Sequence, residues 1–286
     1  MNSFVWENVD TLLKKPPVVV PEPIPPTLHH PEALTHNGHL ILWIVFGLFS
    51  VGTVASFAVT YREPYRRRFL PSLGLLVNII ATIAYFCMAS GVGSTIVHSG
   101  GPRSAKREVL YARYIDWLFT TPLLLTELTF LAGLPAAEIA STVVADVIMI
   151  VTGLLAALHP SLRYRWGLFT FSLLAFLFVL YSLVGNARSN AFLRGNKVGT
   201  LYNYLSGVLV VAWSAYVVVW VLGEGTGIIS ADSEVLAYGI LDVLAKPVWG
   251  LALVLALPTE AEVLLPAWAA TPGGGYGAVA SSETAA

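Results

Sequence analysis

The sequence predicts an all-α membrane protein, a bundle of seven transmembrane helices. Hydrophobic residues make up 56% of the 286-residue chain and charged residues only 12%, which is typical of a protein embedded in lipid. The apolar residues gather in seven segments, each near the length of about twenty residues that a spanning helix needs. The segments cover residues 40–61, 70–92, 109–131, 139–158, 166–184, 201–222 and 234–257. Short linkers join them, so neighbouring helices are expected to pack side by side in one domain.

The two ends of the chain differ from the helical region in composition. Residues 1–36 are polar and proline-rich and have no apolar core, which predicts an extended, disordered tail rather than a signal peptide. Residues 37–258 are expected to form the seven-helix domain. Residues 259–286 contain a glycine run followed by serine and alanine, which predicts a second disordered tail.

Charge and cysteine content exclude several classes of protein. The formal net charge of −1 indicates that nucleic acid is not a partner, and the apolar segments make membrane lipid the expected surroundings. The single cysteine, Cys87, lies inside an apolar segment, so neither a disulfide framework nor a cysteine metal site is predicted. No other metal-ligand spacing and no nucleophile–base set stands out, so we do not expect an enzyme.

Seven spans put the two ends of the chain on opposite sides of the membrane. Outside the segments, seven basic residues fall on each side, so the positive-inside rule does not decide the orientation by count. The cluster from Arg62 to Arg68, directly after the first segment, favours an N-terminus outside and a cytoplasmic C-terminus. We expect the plasma membrane to be the host membrane.

Lys246, in the seventh segment, is the residue that most needs an explanation. A lysine at mid-membrane costs roughly a few kcal/mol or more. Asp242, four residues earlier, lies on the same helix face about one turn away. The pair has two interpretations. It is either a structural ion pair that ties two helices together, or part of a site in which the amine condenses with a carbonyl compound to form a Schiff base.

The third segment carries two carboxylates at an informative spacing. At about 100° per residue, Asp116, Thr120 and Glu127 fall within about 40° of one another on a helix. Asp116 and Glu127 are about 16 Å apart along the axis, so one reaches mid-membrane while the other lies nearer a surface. This favours a proton relay, in which Arg113 is expected to hold Asp116 and Asp242 ionised. The alternative is that Arg113 and Asp116 form a structural pair and that Glu127 faces a neighbouring polar group.

Three motifs together resemble those of the microbial (type I) rhodopsins. They are Arg-Tyr-x-Asp-Trp-Leu-Phe-Thr-Thr-Pro at residues 113–122, Trp-x-x-Tyr-x-x-x-Trp at 213–220 and Asp-x-x-x-Lys at 242–246. The resemblance covers the whole seven-helix region, and its motifs are long and chemically unusual. Pro247 after the lysine, together with the proline-rich N-terminal region, resembles the fungal branch and its bacteriorhodopsin-like proton pumps.

The resemblance implies a chromophore and a role for the charged residues inside the spans. Lys246 would bind all-trans retinal as a protonated Schiff base, with Asp116 as main counterion and proton acceptor and Asp242 as second counterion. Glu127 falls at the cytoplasmic proton-donor position, where bacteriorhodopsin-like pumps usually have Asp. Arg113 would be the mobile arginine on the extracellular side.

Four further positions are implied by the same resemblance. Glu224 and Glu234, which flank the loop between the sixth and seventh helices, match the proton-release carboxylates of the family. Tyr85 and Tyr216 match tyrosines that hydrogen-bond the counterion carboxylates.

A conjugated polyene needs a flat, apolar slot, which the family places between these helices. Residues of the slot and its polar rim would be Trp117, Thr120, Thr121, Leu124, Met149, Gly153, Trp166, Thr170, Trp213, Tyr216 and Trp220. Asp146 would pair with Thr121 as a link between two helices. Leu124, an apolar residue at the family's colour-tuning position, indicates green rather than blue absorption. Two departures, Val217 in place of a proline and Glu127 in place of Asp, both bear on the rate of reprotonation.

Three functions are compatible with these motifs. The first is an outward light-driven proton pump. The second is a sensory photoreceptor with the same pocket, a slow photocycle and a transducer partner. It has less support, because no fused output domain follows the seventh segment. The third is an opsin relative that binds no retinal, against which Lys246 argues. A homotrimer is the oligomer that the resemblance implies.

Overall fold

The computed structural model of the protein describes residues 30–257. Within that range the chain has seven helices that are long and apolar enough to cross a membrane, as predicted. They are α1 (His36–Arg62), α2 (Phe69–Ala89), α3 (Tyr111–Ala132), α4 (Ala136–Leu158), α5 (Leu162–Leu193), α6 (Asn196–Gly225) and α7 (Ala231–Ala256). The predicted C-terminal tail and most of the predicted N-terminal tail lie outside the described residues.

Successive helices pack side by side, and α7 closes the bundle against α1. Helix α3 also contacts α6 across the bundle and is the most deeply buried of the seven spans. On α1, outward side chains such as Val51, Val54 and Phe57 are apolar and exposed, which suits contact with lipid. The ionisable side chains of α3 are instead buried in the interior of the bundle, where groups on neighbouring helices replace water as partners.

Three of the spans contain a short stretch of π-helix. These stretches are Leu183–Ala187 in α5, Val221–Gly225 in α6 and Leu244–Val248 in α7. The stretch in α7 contains Lys246 and Pro247, and its wider turn accommodates a proline that has no N–H to donate. Helix α5 continues beyond its predicted end at residue 184, because the polar residues that follow end the apolar segment but not the helix.

The linker between α2 and α3 forms an antiparallel hairpin that the sequence analysis did not predict. Its strands are β1 (Thr95–His98) and β2 (Lys106–Val109). Glu32 pairs in parallel with Arg107, and its N–H donates to Lys106 O at 2.9 Å. Thr35 caps α1 with its side chain and donates its backbone N–H to Asp232 Oδ1 at 3.0 Å. Glu32 and Thr35, which fall within the predicted disordered tail, therefore contact the hairpin and α7.

Candidate functional site

Lys246 lies in the middle of the bundle, 2% exposed, between one aspartate from α3 and one from its own helix. Its Nζ contacts Asp116 Oδ2 and lies 2.9 Å from Asp242 Oδ1. The ring of Phe49, from α1, has its centroid 5.9 Å from the same nitrogen. The structure therefore brings Asp116 of α3 next to the Lys246–Asp242 pair of α7. The ammonium group has two carboxylate neighbours in an apolar interior.

The two carboxylates differ in how well their charge is stabilised. Asp242 accepts hydrogen bonds from Tyr85 Oη at 2.5 Å, Tyr216 Oη at 2.7 Å and Trp117 Nε1 at 3.3 Å, in addition to its ion pair with the lysine. Asp116 Oδ1 is buried and has no hydrogen-bond partner among residues 30–257. Donors stabilise the ionised form of a carboxyl group, so Asp242 is held as a carboxylate while Asp116 retains an oxygen that can take a proton.

A slot with mostly apolar walls opens beside Lys246. Its lining residues are Tyr114, Trp117, Thr121, Leu124, Met149, Ile150, Gly153, Phe169, Ser172, Phe176, Trp213, Tyr216, Val217, Trp220, Tyr238, Asp242, Ala245 and Lys246. Aromatic rings from α3, α5, α6 and α7 form much of its surface. A lysine at one end of an aromatic-walled slot, with counterions on the amine, fits a flat polyene joined to Lys246 Nζ.

Two positions predicted for the slot are corrected by the structure. Thr170 is exposed, and its hydroxyl donates to the backbone oxygen of Trp166 at 2.9 Å. Trp166 packs behind Trp220, with ring centroids 6.0 Å apart, and does not line the slot. Phe169 lies there instead, stacked on Trp220 at 4.5 Å, together with Ser172. Helical geometry puts these two residues on one face and turns Thr170 about 100° away from Phe169.

The threonines on α3 make main-chain contacts as well as a link to α4. Thr120 Oγ1 donates to the backbone oxygen of Asp116 at 2.9 Å, so it does not bond the carboxylate. Thr121 Oγ1 lies 2.9 Å from Trp117 O and 2.6 Å from Asp146 Oδ2. A hydroxyl has a single proton, and the backbone oxygen only accepts, so both contacts are satisfied when Asp146 carries a proton and donates it.

Glu127 lies on α3, the helix of Asp116, away from the lysine, and is completely buried. Its face of α3 is turned towards Gly74 of α2, where an added methyl group would lie 3.0 Å from Glu127 Oε1. Neither carboxyl oxygen has a hydrogen-bond partner within the described part of the chain. The helical rise separates it from Asp116 by about 16 Å along the axis, so direct contact with Lys246 Nζ is excluded.

The other end of the site is an arginine–glutamate cluster. Arg113 Nη1 donates to Glu234 Oε1 at 3.2 Å, and its guanidinium lies 4.3 Å from the ring centre of Tyr238. The alternative in which Arg113 and Asp116 form a structural pair is wrong within the described residues, because the ion pair of Arg113 is with Glu234. Arg107, from β2, donates to Glu234 Oε2 at 2.6 Å and is itself buried. Sequence reasoning counted Arg107 as a linker charge, because its inward direction follows only once the hairpin is known.

Glu224 lies near this cluster with different partners. It accepts hydrogen bonds from Tyr114 Oη at 3.1 Å and from Tyr238 Oη at 3.2 Å. Trp220, a wall of the slot, donates its Nε1–H to Tyr114 Oη at 2.8 Å. Both glutamates that flank the α6–α7 loop are therefore buried at one end of the bundle, one held by arginines and the other by phenols.

Comparisons with known proteins agree with this geometry. A family described as "Bacteriorhodopsin-like protein" matches residues 36–259. The opsin-like protein carO of Fusarium fujikuroi is 39% identical over 223 residues, which are 76% of this chain and 72% of that protein.

Two solved structures of light-driven proton pumps are also similar. The pump LR (Mac) of Leptosphaeria maculans has a TM-score of 0.74 at 36% identity, covering 78% of this chain and 96% of that one. The rhodopsin CsR of Coccomyxa subellipsoidea has a TM-score of 0.74 at 38% identity, covering 78% and 97%. The family match includes the seven spans and the charged residues of the site. The chain therefore belongs to the bacteriorhodopsin-like family, the retinal-binding microbial rhodopsins of the membrane, and is of the fungal kind.

Proposed function

We propose that this protein is an outward light-driven proton pump that carries all-trans retinal on Lys246. One observation carries the proposal: α3 holds a carboxylate in contact with Lys246 Nζ and a second buried carboxyl on the same face, about 16 Å away. A central nitrogen with an acceptor on one side and a donor on the other is the arrangement that one-way proton movement requires.

Retinal, when bound, supplies light absorption and a change of shape next to the proton on the Lys246 nitrogen. Asp116 Oδ2, in contact with Nζ, accepts that proton, and its second oxygen is without a competing donor in the described chain. Asp242 stays ionised, because three neutral donors stabilise its charge. The fixed charge of Asp242 keeps the site favourable for a cation while Asp116 is neutral.

Glu127 is the group that returns a proton to the lysine nitrogen. Burial without a charged partner favours the neutral form of a carboxyl group, so Glu127 has a proton to give. The distance to Lys246 Nζ makes this step depend on helix motion and a transient path through water. At the opposite end, Arg113, Glu224 and Glu234 form the polar region through which a proton leaves.

The direction of transport follows from which half of the membrane holds Glu127. Its neighbour Gly74 lies in the first turns of α2, directly after the basic cluster from Arg62 to Arg68. The positive-inside rule places such a cluster in the cytoplasm, so Glu127 lies on the cytoplasmic side and the N-terminus outside. We propose the plasma membrane as the location.

Two carboxylates around one amine also favour protons over anions as cargo. Their summed charge exceeds that of Lys246, so a chloride ion next to the lysine would meet net negative charge. A chloride pump would lack an acidic residue at the position of Asp116.

The test is light-driven pH change in cells that express the protein and are supplied with retinal. We expect the medium to become more acidic on illumination, and we expect a protonophore to abolish this pH change. The photocycle should be fast enough to sustain the acidification under continuous light. Flash spectroscopy on the same sample measures the cycle. A slow cycle with no pH change would overturn the pump and favour the sensory photoreceptor.

A further inference from the structure

Asn78, on α2, is a buried amide whose carbonyl oxygen is not satisfied by the described part of the chain. The side chain is fully enclosed. Its Nδ2 donates to Ser56 Oγ at 2.9 Å and to Gly74 O at 3.1 Å. Its Oδ1 has no hydrogen-bond partner among the described residues. Buried amide oxygens are rarely left without a donor, so this one calls for a partner beyond the described residues.

Glu127 is the second unsatisfied group on the same side of the bundle. Both of its oxygens are buried, and neither makes a hydrogen bond of normal geometry in residues 30–257, although the backbone N–H of Gly74 interacts with the carboxyl group. Gly74 connects the two sites: its backbone oxygen accepts from Asn78, and a methyl group on it would lie 3.0 Å from Glu127 Oε1. Residues 74 and 78 are one helical turn apart, so both unsatisfied groups border the same short stretch of α2.

The other side of Asn78 is directed towards the helix that carries Lys246. A methyl group added to Gly52 would lie 3.8 Å from Asn78 Oδ1 and 2.6 Å from Pro247 Cβ. Pro247 directly follows Lys246 in the π-helical stretch of α7. Asn78 Oδ1 is therefore near the place where α1, α2 and α7 meet, on the side of α2 that faces Gly52 and Pro247.

Water is the partner that suits these groups. A buried water molecule makes about three hydrogen bonds and is found where several polar atoms converge. A protonated Glu127 carboxyl can donate to or accept from such a molecule, and the amide oxygen of Asn78 can accept from it. The glycine at position 74 lets the carboxyl of Glu127 approach α2 closely, because a methyl group there would lie only 3.0 Å from Glu127 Oε1.

We propose that Asn78 is a positioning residue for reprotonation. It holds ordered water next to Gly74, between Glu127 and the Lys246–Pro247 backbone, and so sets the start of the path by which Glu127 delivers its proton. The delivery step rests on the proposed function, whereas the water site does not.

The first experiment replaces Asn78 with leucine and uses Thr53→Val as the matched control. Thr53 makes another polar contact between α1 and α2, 2.9 Å from Thr82 Oγ1, and does not touch Gly74. The carbonyl stretch of Glu127 is identified in the dark by infrared spectroscopy, as the band that Glu127→Gln removes. In Asn78→Leu this band should move to higher frequency, because the carboxyl loses a hydrogen bond, and in Thr53→Val it should not move.

The second readout is the recovery of the proton on the Lys246 nitrogen after a flash. In Asn78→Leu we expect recovery to slow by roughly tenfold or more, as when a positioned proton-transfer group is lost. Azide, a small diffusible acid, should restore the rate. A purely structural role for Asn78 would give a slow recovery that azide does not restore, and that result would overturn the proposal.

Gly74→Ala tests the same site without removing the amide. Alanine is more favourable than glycine within a helix, so this variant should fold even if Asn78→Leu does not. Its methyl group should disturb the Glu127 band, and adding Glu127→Asp, which shortens the side chain by one methylene, should restore a hydrogen-bonded band. An undisturbed band in both Gly74→Ala and Asn78→Leu contradicts the water site.

The dark measurement separates this proposal from the proposed function. If illumination drives no proton movement but the band shifts in Asn78→Leu, the pump is overturned and the water site stands. If pumping is present and the band is the same in wild type and Asn78→Leu, the role of Asn78 is overturned alone.

Discussion

Tyr85 donates a hydrogen bond of 2.5 Å to Asp242, which joins α2 to α7 beside the lysine. Tyr216 and Trp117 complete the set of neutral donors to the same carboxylate. The other counterion, Asp116, has no such donors within the described chain. Two aspartates that touch one lysine are therefore chemically unequal, and this inequality supports our proposal that Asp242 carries the fixed charge and Asp116 accepts the moving proton.

Lys246→Ala should abolish the visible absorption that appears when all-trans retinal is added to the protein. The reason is that Nζ of this residue is the amine that the aromatic slot encloses. Absorption spectroscopy of the purified variant checks the result. Lys106→Ala, at an exposed position of β2, is the control and should form the green-absorbing pigment. A visible band that is unchanged in Lys246→Ala would contradict the assignment of Lys246 as the retinal-binding amine.

Asp116→Asn should shift the visible band to the red and lower light-driven transport by about 100-fold or more, the scale expected for loss of a proton-transfer group. Removing a negative charge next to a cation destabilises the ground state more than the excited state. Asp242→Asn should keep measurable transport, because the acceptor in contact with Lys246 is still present. Absorption spectra test the predicted colour shift, and pH-electrode traces of both variants test the predicted transport. Transport that persists in Asp116→Asn would contradict the assignment of Asp116 as proton acceptor.

Glu127→Gln should leave the colour and the first proton transfer nearly intact but slow the recovery of the proton on the lysine nitrogen. Recovery should then depend on the pH of the bulk solution and respond to azide, because the internal donor has been removed. Flash spectroscopy at several pH values measures this, with Glu138→Gln at the start of α4 as control. A wild-type cycle that is already slow, pH-dependent and unchanged by Glu127→Gln would make Glu127 a packing residue and favour the sensory function.

Arg107→Gln should destabilise the end of the bundle where Glu224 and Glu234 lie. Its partner Glu234 is buried and would keep only Arg113, at 3.2 Å. Removing one member of a buried ion pair typically costs about 3–5 kcal/mol. Arg103→Gln is the control, because that arginine is exposed in its ion pair with Glu32 and should cost at most about 1 kcal/mol. Thermal bleaching of the pigment compares the two, and equal midpoints would contradict the structural importance of Arg107.

Phe169→Ala should shift the visible band and lower the thermal stability of the pigment, because the ring lines the slot and stacks on Trp220. Thr170→Ala, one residue along, should change stability by no more than about 0.5 kcal/mol, as expected for an exposed side chain. Spectra and thermal bleaching of the pair test the register of α5. A larger effect from Thr170→Ala than from Phe169→Ala would reverse the assignment.

The inward face of α5 could not be predicted from the sequence pattern. Residues 166–184 are apolar almost all the way round the helix, so hydrophobic periodicity marks no inward face. The motif resemblance placed Trp166 and Thr170 at the slot, but packing against α4 and α6 turns Phe169 and Ser172 inward. Arg107 presents the same difficulty, because Glu234 is far away in the chain and the hairpin that brings them together has no strong local signal.

Local properties of the chain were sufficient for the spans and for the pairing of Asp242 with Lys246. A membrane helix is recognised by the length and apolarity of one segment, and residues four apart on it share a face whatever surrounds them. The unequal partners of Asp116 and Asp242, and the meeting of Asn78, Gly74 and Glu127, depend on helix rotation and on side chains from distant segments. Those features arise only when the bundle packs, because the donors that distinguish Asp242 from Asp116 come from three other helices.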